Sequence, residues 1–233
     1  MTLRAEEKSR TRTQKTLAGA VKRLLPKSVT RELQRFRSLN RDERWLYLML
    51  KLPLVSRLAG QKLGRTPKSA QSLLFICYGN IMRSPMCEAL LQQEFGNECS
   101  HLRISSAGLN AVPDRPAHPW AVTAARELGI SLDHHMARLL TTEMLDRADA
   151  IFVMDYHNFA QLLSRWPDTK DKALLLGTYT SADYTSSEIA DPYYLGLEGT
   201  RQCYAVLRTC IRNLLQDLPA KDPTPNPRAF ADL

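Results

Sequence analysis

Cysteine is scarce and unpaired in this sequence. The five at positions 77, 87, 99, 203 and 210 form no Cys-x-x-Cys pair, disulfide framework or zinc-ligand spacing, which favours a reducing compartment over an oxidising one. Long apolar runs are missing too. The longest, Trp45 to Val55, is broken by Lys51 and Pro53, whereas a membrane-spanning helix needs about 20 apolar residues. The strongly charged start lacks the apolar centre of a secretory signal. No internal repeat is visible, and no base-reading motif accompanies the basic residues. A cytoplasmic chain that does not cross a membrane is expected.

What is present divides sharply by charge. Residues 1–70 hold 18 Lys+Arg against 5 Asp+Glu, while residues 71–233 hold 14 against 19. The net charge of +8 therefore comes from the N-terminal third. There, Leu17, Val21, Leu24 and Leu25 make one stripe at helical spacing and Leu33, Phe36 and Leu39 another. Pro26 and the Asn40-Arg41-Asp42 break predict three short helices between about 10 and 63. Gly64 to Ala70 reads as a linker. Beyond it, strands are expected at 72–77, 102–106, 150–154 and 173–176. Helices are expected at 84–95, 118–128, 141–146, 156–164 and 200–217. Alternating strands and helices predict an α/β fold of three layers, an open parallel sheet covered on both faces. Residues 219–233, with four prolines, read as a loose tail. The expected division is thus 1–70, a basic helical extension with its linker; 71–218, the α/β domain; and 219–233, the tail.

The most informative stretch follows the first strand: Cys77-Tyr78-Gly79-Asn80-Ile81-Met82-Arg83-Ser84-Pro85. Ligands of open α/β sheets sit at the carboxyl ends of strands, and Cys77 ends one. Arg83-Ser84-Pro85 opens a helix, with proline suited to a first turn. Gly79 and Asn80 tolerate the positive φ that a curled loop needs. Its successive amides, together with the helix dipole, suit a tetrahedral dianion, and Arg83 adds a bidentate grip. A positive helix end favours a thiolate over a thiol, so Cys77 is expected as a nucleophile, with Ser84 donating to its sulfur. The plainer reading of Cys77 alone, a structural cysteine before a turn, loses to the combination.

Displacing an ester from phosphorus also needs a proton for the leaving oxygen. Asp191-Pro192-Tyr193-Tyr194 offers a carboxylic acid, with Pro192 holding Asp191 extended; by itself the segment also reads as an ordinary Asp-Pro turn. With both motifs in hand, residues 72–218 resemble the low-molecular-weight protein tyrosine phosphatases. Besides 77–85 and Asp191-Pro192-Tyr193, the resemblance rests on Ser-Ala-Gly (106–108), Pro-Ala-His-Pro (116–119), Gly-Ile (129–130), His-Met-Ala-Arg (135–138) and Met-Asp (154–155) with Asn158. It implies a flavodoxin-like sheet and hydrolysis without metal or organic cofactor. It makes Cys77 the nucleophile, Arg83 the phosphoryl clamp and Asp191 the general acid, then base. It also implies that the loop from Tyr78 through Ile81 and Met82 to Ser84 holds the phosphate. Asn80 would keep that loop in shape with support from His135, and Tyr193 would form a cleft wall. Substrates would be phosphotyrosine proteins or other aryl or sugar phosphates. A tyrosine kinase or a polysaccharide pathway is the implied partner.

Two positions depart from the family pattern. Met82 stands where a second loop cysteine often captures the oxidised nucleophile, and Ala111-Val112 lacks the usual aromatic of the opposite wall. Two other functions remain open. Arsenate reduction would use Cys203 and Cys210, although a spacing of seven more simply means one buried helix face. A silent phospho-ligand scaffold would leave the arm as the working part. The arm itself fits a helical cap docking a partner, an anionic membrane surface touched by Trp45–Leu50, or nucleic acid. It therefore allows a peripheral position at the inner membrane face.

Overall fold

Ser72–Cys77 (β1) is buried at every position, as a run of Leu, Leu, Phe and Ile flanked by small residues must be in the middle of a parallel sheet. The computed structural model describes residues 26–52, 66, 69–95, 101–180 and 187–218. β1 lies between Arg103–Gly108 (β2) and Ala150–Val153 (β3), and Ala173–Leu175 (β4) pairs with β3, giving the order β2-β1-β3-β4. All the pairings are parallel. Cys77 is in register with Gly108, so the cysteine and the glycine of Ser-Ala-Gly leave the sheet side by side.

Helices pack on this sheet: Arg83–Ala89 (α3), Pro119–Glu127 (α4), Thr142–Arg147 (α5), Tyr156–Arg165 (α6) and Gly196–Asp217 (α7). The expected helix at 84–95 starts one residue earlier and turns into a π-helical turn at Leu90–Glu94. The last helix begins four residues before its expected start, and β2 runs on to Gly108. Side-chain caps fix several starts: Asp155 accepts from the Asn158 amide and Thr141 from that of Met144. Phe75 and Phe152 stack at 5.1 Å across β1 and β3. On α7, Cys203, Tyr204, Leu207, Cys210, Ile211 and Leu214 are buried. The spacing of seven between the two cysteines is therefore that of a core-facing stripe.

Two helices precede the sheet: Lys27–Ser38 (α1) and Arg41–Lys51 (α2). Between them Asn40 and Glu43 exchange backbone-to-side-chain hydrogen bonds of 2.9 Å each, a reciprocal cap that starts α2. The Leu17–Leu25 stripe, most of the 64–70 linker and the 219–233 tail lie outside the described residues. Contacts divide the chain into two compact units, one ending at Arg44 and the other beginning at Trp45. The C-terminal part of α2 therefore belongs to the sheet unit. Among the described residues no helix is long and apolar enough to cross a membrane.

Candidate active site

The loop between β1 and α3 closes on its own cysteine. The Asn80 amide donates to Cys77 Sγ at 3.2 Å, and Ser84 Oγ lies 3.1 Å from the same sulfur. Ser84 carries one hydroxyl proton, which reaches either that sulfur or the Ala107 carbonyl at 3.2 Å. Cys77 is buried, as are Ser84 and Arg83.

Asn80 is the hinge of the loop. Its φ of 52° lies in the left-handed region, which asparagine adopts more readily than most residues. Four contacts hold it there. Its Nδ2 donates to Ser84 Oγ and Ser106 Oγ, both at 2.9 Å, and its Oδ1 accepts from the Arg138 amide at 2.8 Å. Its carbonyl accepts from His135 Nε2 at 2.7 Å. Burial lowers the pKa of His135, only partly opposed by that bond, so at neutral pH the ring stays neutral with its proton on Nε2. Glu88 closes the network by accepting from both Ser106 and Arg138. Gly108 packs so close that an added Cβ would meet the Asn80 nitrogen and the Gly79 carbonyl carbon at 2.8 Å. Backbone cannot yield there as a flexible side chain would, so glycine is required.

Arg83 joins the loop to the rest of the site. Its Nη1 donates to Asp155 Oδ2 at 2.7 Å and to the Ile189 carbonyl at 3.0 Å, and its Nη2 donates to Asp191 Oδ2 at 2.9 Å. Burial works against its charge, but Asp191, Asp155 and then Cys77 hold its pKa above the ordinary arginine range. Asp191 caps the short turn Pro192–Tyr194 by accepting from the Tyr193 amide at 3.2 Å. Its side chain stays partly exposed.

Cys77, Arg83, Ser84, Asn80 and Asp191 thus converge, and His135 bonds the Asn80 carbonyl. Tyr78 is exposed beside them, whereas the side chains of Ile81 and Met82 are buried in the core. Backbone groups of these two serve as anchors: the His118 amide donates to the Ile81 carbonyl at 2.9 Å, and Tyr204 Oη to that of Met82 at 3.1 Å. Where the usual aromatic is missing, Ala111 is buried and Val112 is 62% exposed. Rings gather after Asp191 instead. Tyr193 meets Tyr194 at 4.9 Å and His118 at 5.4 Å, and His118 meets Trp120 at 4.9 Å.

Sequence reasoning assigned no role to Asp155, Ser106, Glu88 or Ile189. For Asp155 a signal existed: it caps α6 directly after β3, at the carboxyl edge where ligands of such sheets bind. Among the described residues, no group of three or more His, Cys, Asp or Glu side chains is arranged to hold a metal ion.

The chain has relatives among known proteins. Residues 72–224 match the family model described as low molecular weight phosphotyrosine protein phosphatase. The chain is 32% identical over 150 residues to the low molecular weight protein-tyrosine-phosphatase Wzb of Escherichia coli K12, covering 64% of this chain and 97% of Wzb. To the probable low molecular weight protein-tyrosine-phosphatase EpsP of Ralstonia nicotianae it is 37% identical over 123 residues, covering 53% and 79%. The solved structure of the Erwinia amylovora tyrosine phosphatase AmsI aligns with a TM-score of 0.58 at 30% identity, covering 66% of this chain and 97% of that one. The YwlE arginine phosphatase of Geobacillus stearothermophilus aligns with a TM-score of 0.57 at 31% identity, covering 63% and 91%. The match begins at the first residue of β1 and takes in every element of the sheet, so the chain belongs to the low molecular weight phosphotyrosine protein phosphatase family.

Proposed function

We propose that this phosphatase hydrolyses phosphotyrosine in proteins by two displacements at phosphorus. The reading is carried by one arrangement: a sulfur that receives the Asn80 amide and faces Ser84, next to an arginine bound to the carboxylate of Asp191. Cys77 Sγ attacks phosphorus and forms a P–S bond while the P–O bond to the tyrosyl oxygen breaks. That oxygen takes its proton from Asp191. Water then attacks the phosphocysteine, Asp191 takes a proton from it, and the P–S bond breaks to release phosphate and the thiolate. Arg83 neutralises the transferring phosphoryl oxygens. As the P–S bond breaks, the hydroxyl of Ser84 turns to the sulfur and stabilises it as a leaving group.

The rings beside Asp191 favour an aryl ester. A comparison with phosphoarginine is the natural test, since an arginine phosphatase shares the fold. A phosphotyrosyl peptide is expected to exceed the same peptide carrying phosphoarginine at least about tenfold in kcat/KM, the effect of a pocket contact worth 1–2 kcal/mol. The reverse ranking would overturn the substrate assignment. Arsenate reduction is disfavoured because burial pushes the thiols of Cys203 and Cys210 up to about 12, leaving neither ready to relay as a thiolate. The convergence of Cys77, Arg83 and Asp191 argues equally against a silent scaffold.

The enzyme is placed in the cytoplasm opposite a tyrosine kinase, in a polysaccharide pathway of the kind the resemblance implies. Its basic arm lies against anionic lipid. Trp45, Leu48 and Leu52 are 62%, 55% and 48% exposed at or just beyond α2, a spacing that sets three apolar side chains on one outer face. Flotation with vesicles rich in phosphatidylserine is expected to fall when Trp45 and Leu48 become serine, and to fall again at high salt. Flotation unchanged by both would leave the arm as a cap.

A further inference from the structure

The acid-bearing segment is held from two sides. On one side Arg83 binds the Ile189 carbonyl and the Asp191 carboxylate, while the Ile189 amide donates to the Met154 carbonyl at 2.8 Å. On the other side stands Glu188, whose carboxylate accepts from the Tyr156 amide at 3.0 Å, at the start of α6. The same Glu188 is paired with Lys51 at 3.2 Å, at the end of α2. The Lys51 ammonium lies 5.0 Å above the ring of Tyr47, which is buried and meets His157 of α6 edge-on at 6.0 Å. All these residues belong to the unit that begins at Trp45, although Tyr47 and Lys51 precede the family match. Two residues lie between Glu188 and Asp191, a reach of about 10 Å, so a shift at the first can carry through to the second.

We infer that Lys51, seated on Tyr47, is a positioning residue for the general acid: by fixing Glu188 it sets where the carboxyl of Asp191 meets the leaving oxygen. The inference rests on the reading of Asp191 as that acid. A half-exposed ion pair adds little to global stability, but a shift of about 1 Å in a catalytic group can cost roughly a hundredfold in rate. The pair therefore matters through geometry. It also gives the segment before the family domain a task inside the reaction.

The test is a series of aryl phosphates from dinitrophenyl to phenyl, whose leaving oxygens need progressively more help from an acid. Wild type, Lys51→Glu, Lys51→Arg and Asp191→Asn are compared as full-length chains. Lys51→Glu is expected to lower kcat for phenyl phosphate about threefold to tenfold more than for the dinitrophenyl ester, steepening the dependence on leaving-group pKa. Lys51→Arg, which keeps a cation over Tyr47 and paired with Glu188, is expected to keep the wild-type slope. An equal loss across the series, or no loss, overturns the positioning role while leaving Asp191 its own steep slope. A wild-type slope in Asp191→Asn removes the acid itself, and this inference with it.

Discussion

Replacing Cys77 by serine is expected to abolish turnover of an aryl phosphate while leaving the fold intact. Serine is nearly the size of cysteine, and its hydroxyl can accept the bond from the Asn80 amide and face Ser84 as the sulfur does. Stability is then expected to move by no more than about 1 kcal/mol, the scale of one hydrogen bond. The chemistry has no such tolerance. A hydroxyl with no adjacent base is a poor nucleophile. The other described cysteines are all buried, and burial raises the pKa of each. A loss on the order of 10⁴-fold in kcat follows, as when enzymes lose their nucleophile. Steady-state kinetics beside a melting curve separates the two effects. A serine variant with wild-type turnover would remove Cys77 from the mechanism.

The second large effect is at Asp191. Asp191→Ala removes the proton donor and also one of the two carboxylates on Arg83. Asp155 remains to compensate the buried guanidinium, so the fold is expected to survive. General acid catalysis contributes about 10²–10⁴-fold, and the loss is expected to approach that range for phenyl phosphate and to shrink for the dinitrophenyl ester, whose anion leaves unaided. Hydrolysis of the phosphocysteine also slows, because no group then takes the proton from water. The intermediate is expected to accumulate with the good leaving group, visible as a burst of dinitrophenolate in stopped-flow. A uniform loss across esters would make Asp191 a structural partner of Arg83 and not an acid.

The parts of the site written in contiguous sequence were the legible ones. Cys77, Asn80, Arg83 and Ser84 lie within eight positions, and their geometry follows from a strand end, a left-handed asparagine and a helix start. Asp191 was legible only beside the Cys77–Pro85 motif, since by itself its segment reads as an ordinary Asp-Pro turn. What escaped was held by long-range pairing. Asp155 meets Arg83 across 72 positions, and the Ser106, Glu88 and Arg138 network around Asn80 joins three separate elements. Met82 stands in the phosphate loop, yet its side chain points into the core, which alternation along a curled loop cannot reveal. The Gly64–Ala70 stretch marks a change of composition, whereas contacts part the chain between Arg44 and Trp45. Tyr47 and Lys51 join the sheet unit through partners more than a hundred positions away, and no local pattern announces that.

The most direct test of the account is to quench the enzyme in alkali during turnover of an aryl phosphate and map phosphorylated peptides by mass spectrometry. The mechanism predicts a phosphoryl group on the peptide containing Cys77, lost on exposure to mild acid, and more abundant in Asp191→Ala. Turnover by the wild type with no adduct at that cysteine in either protein, or with the adduct on another residue, would contradict it.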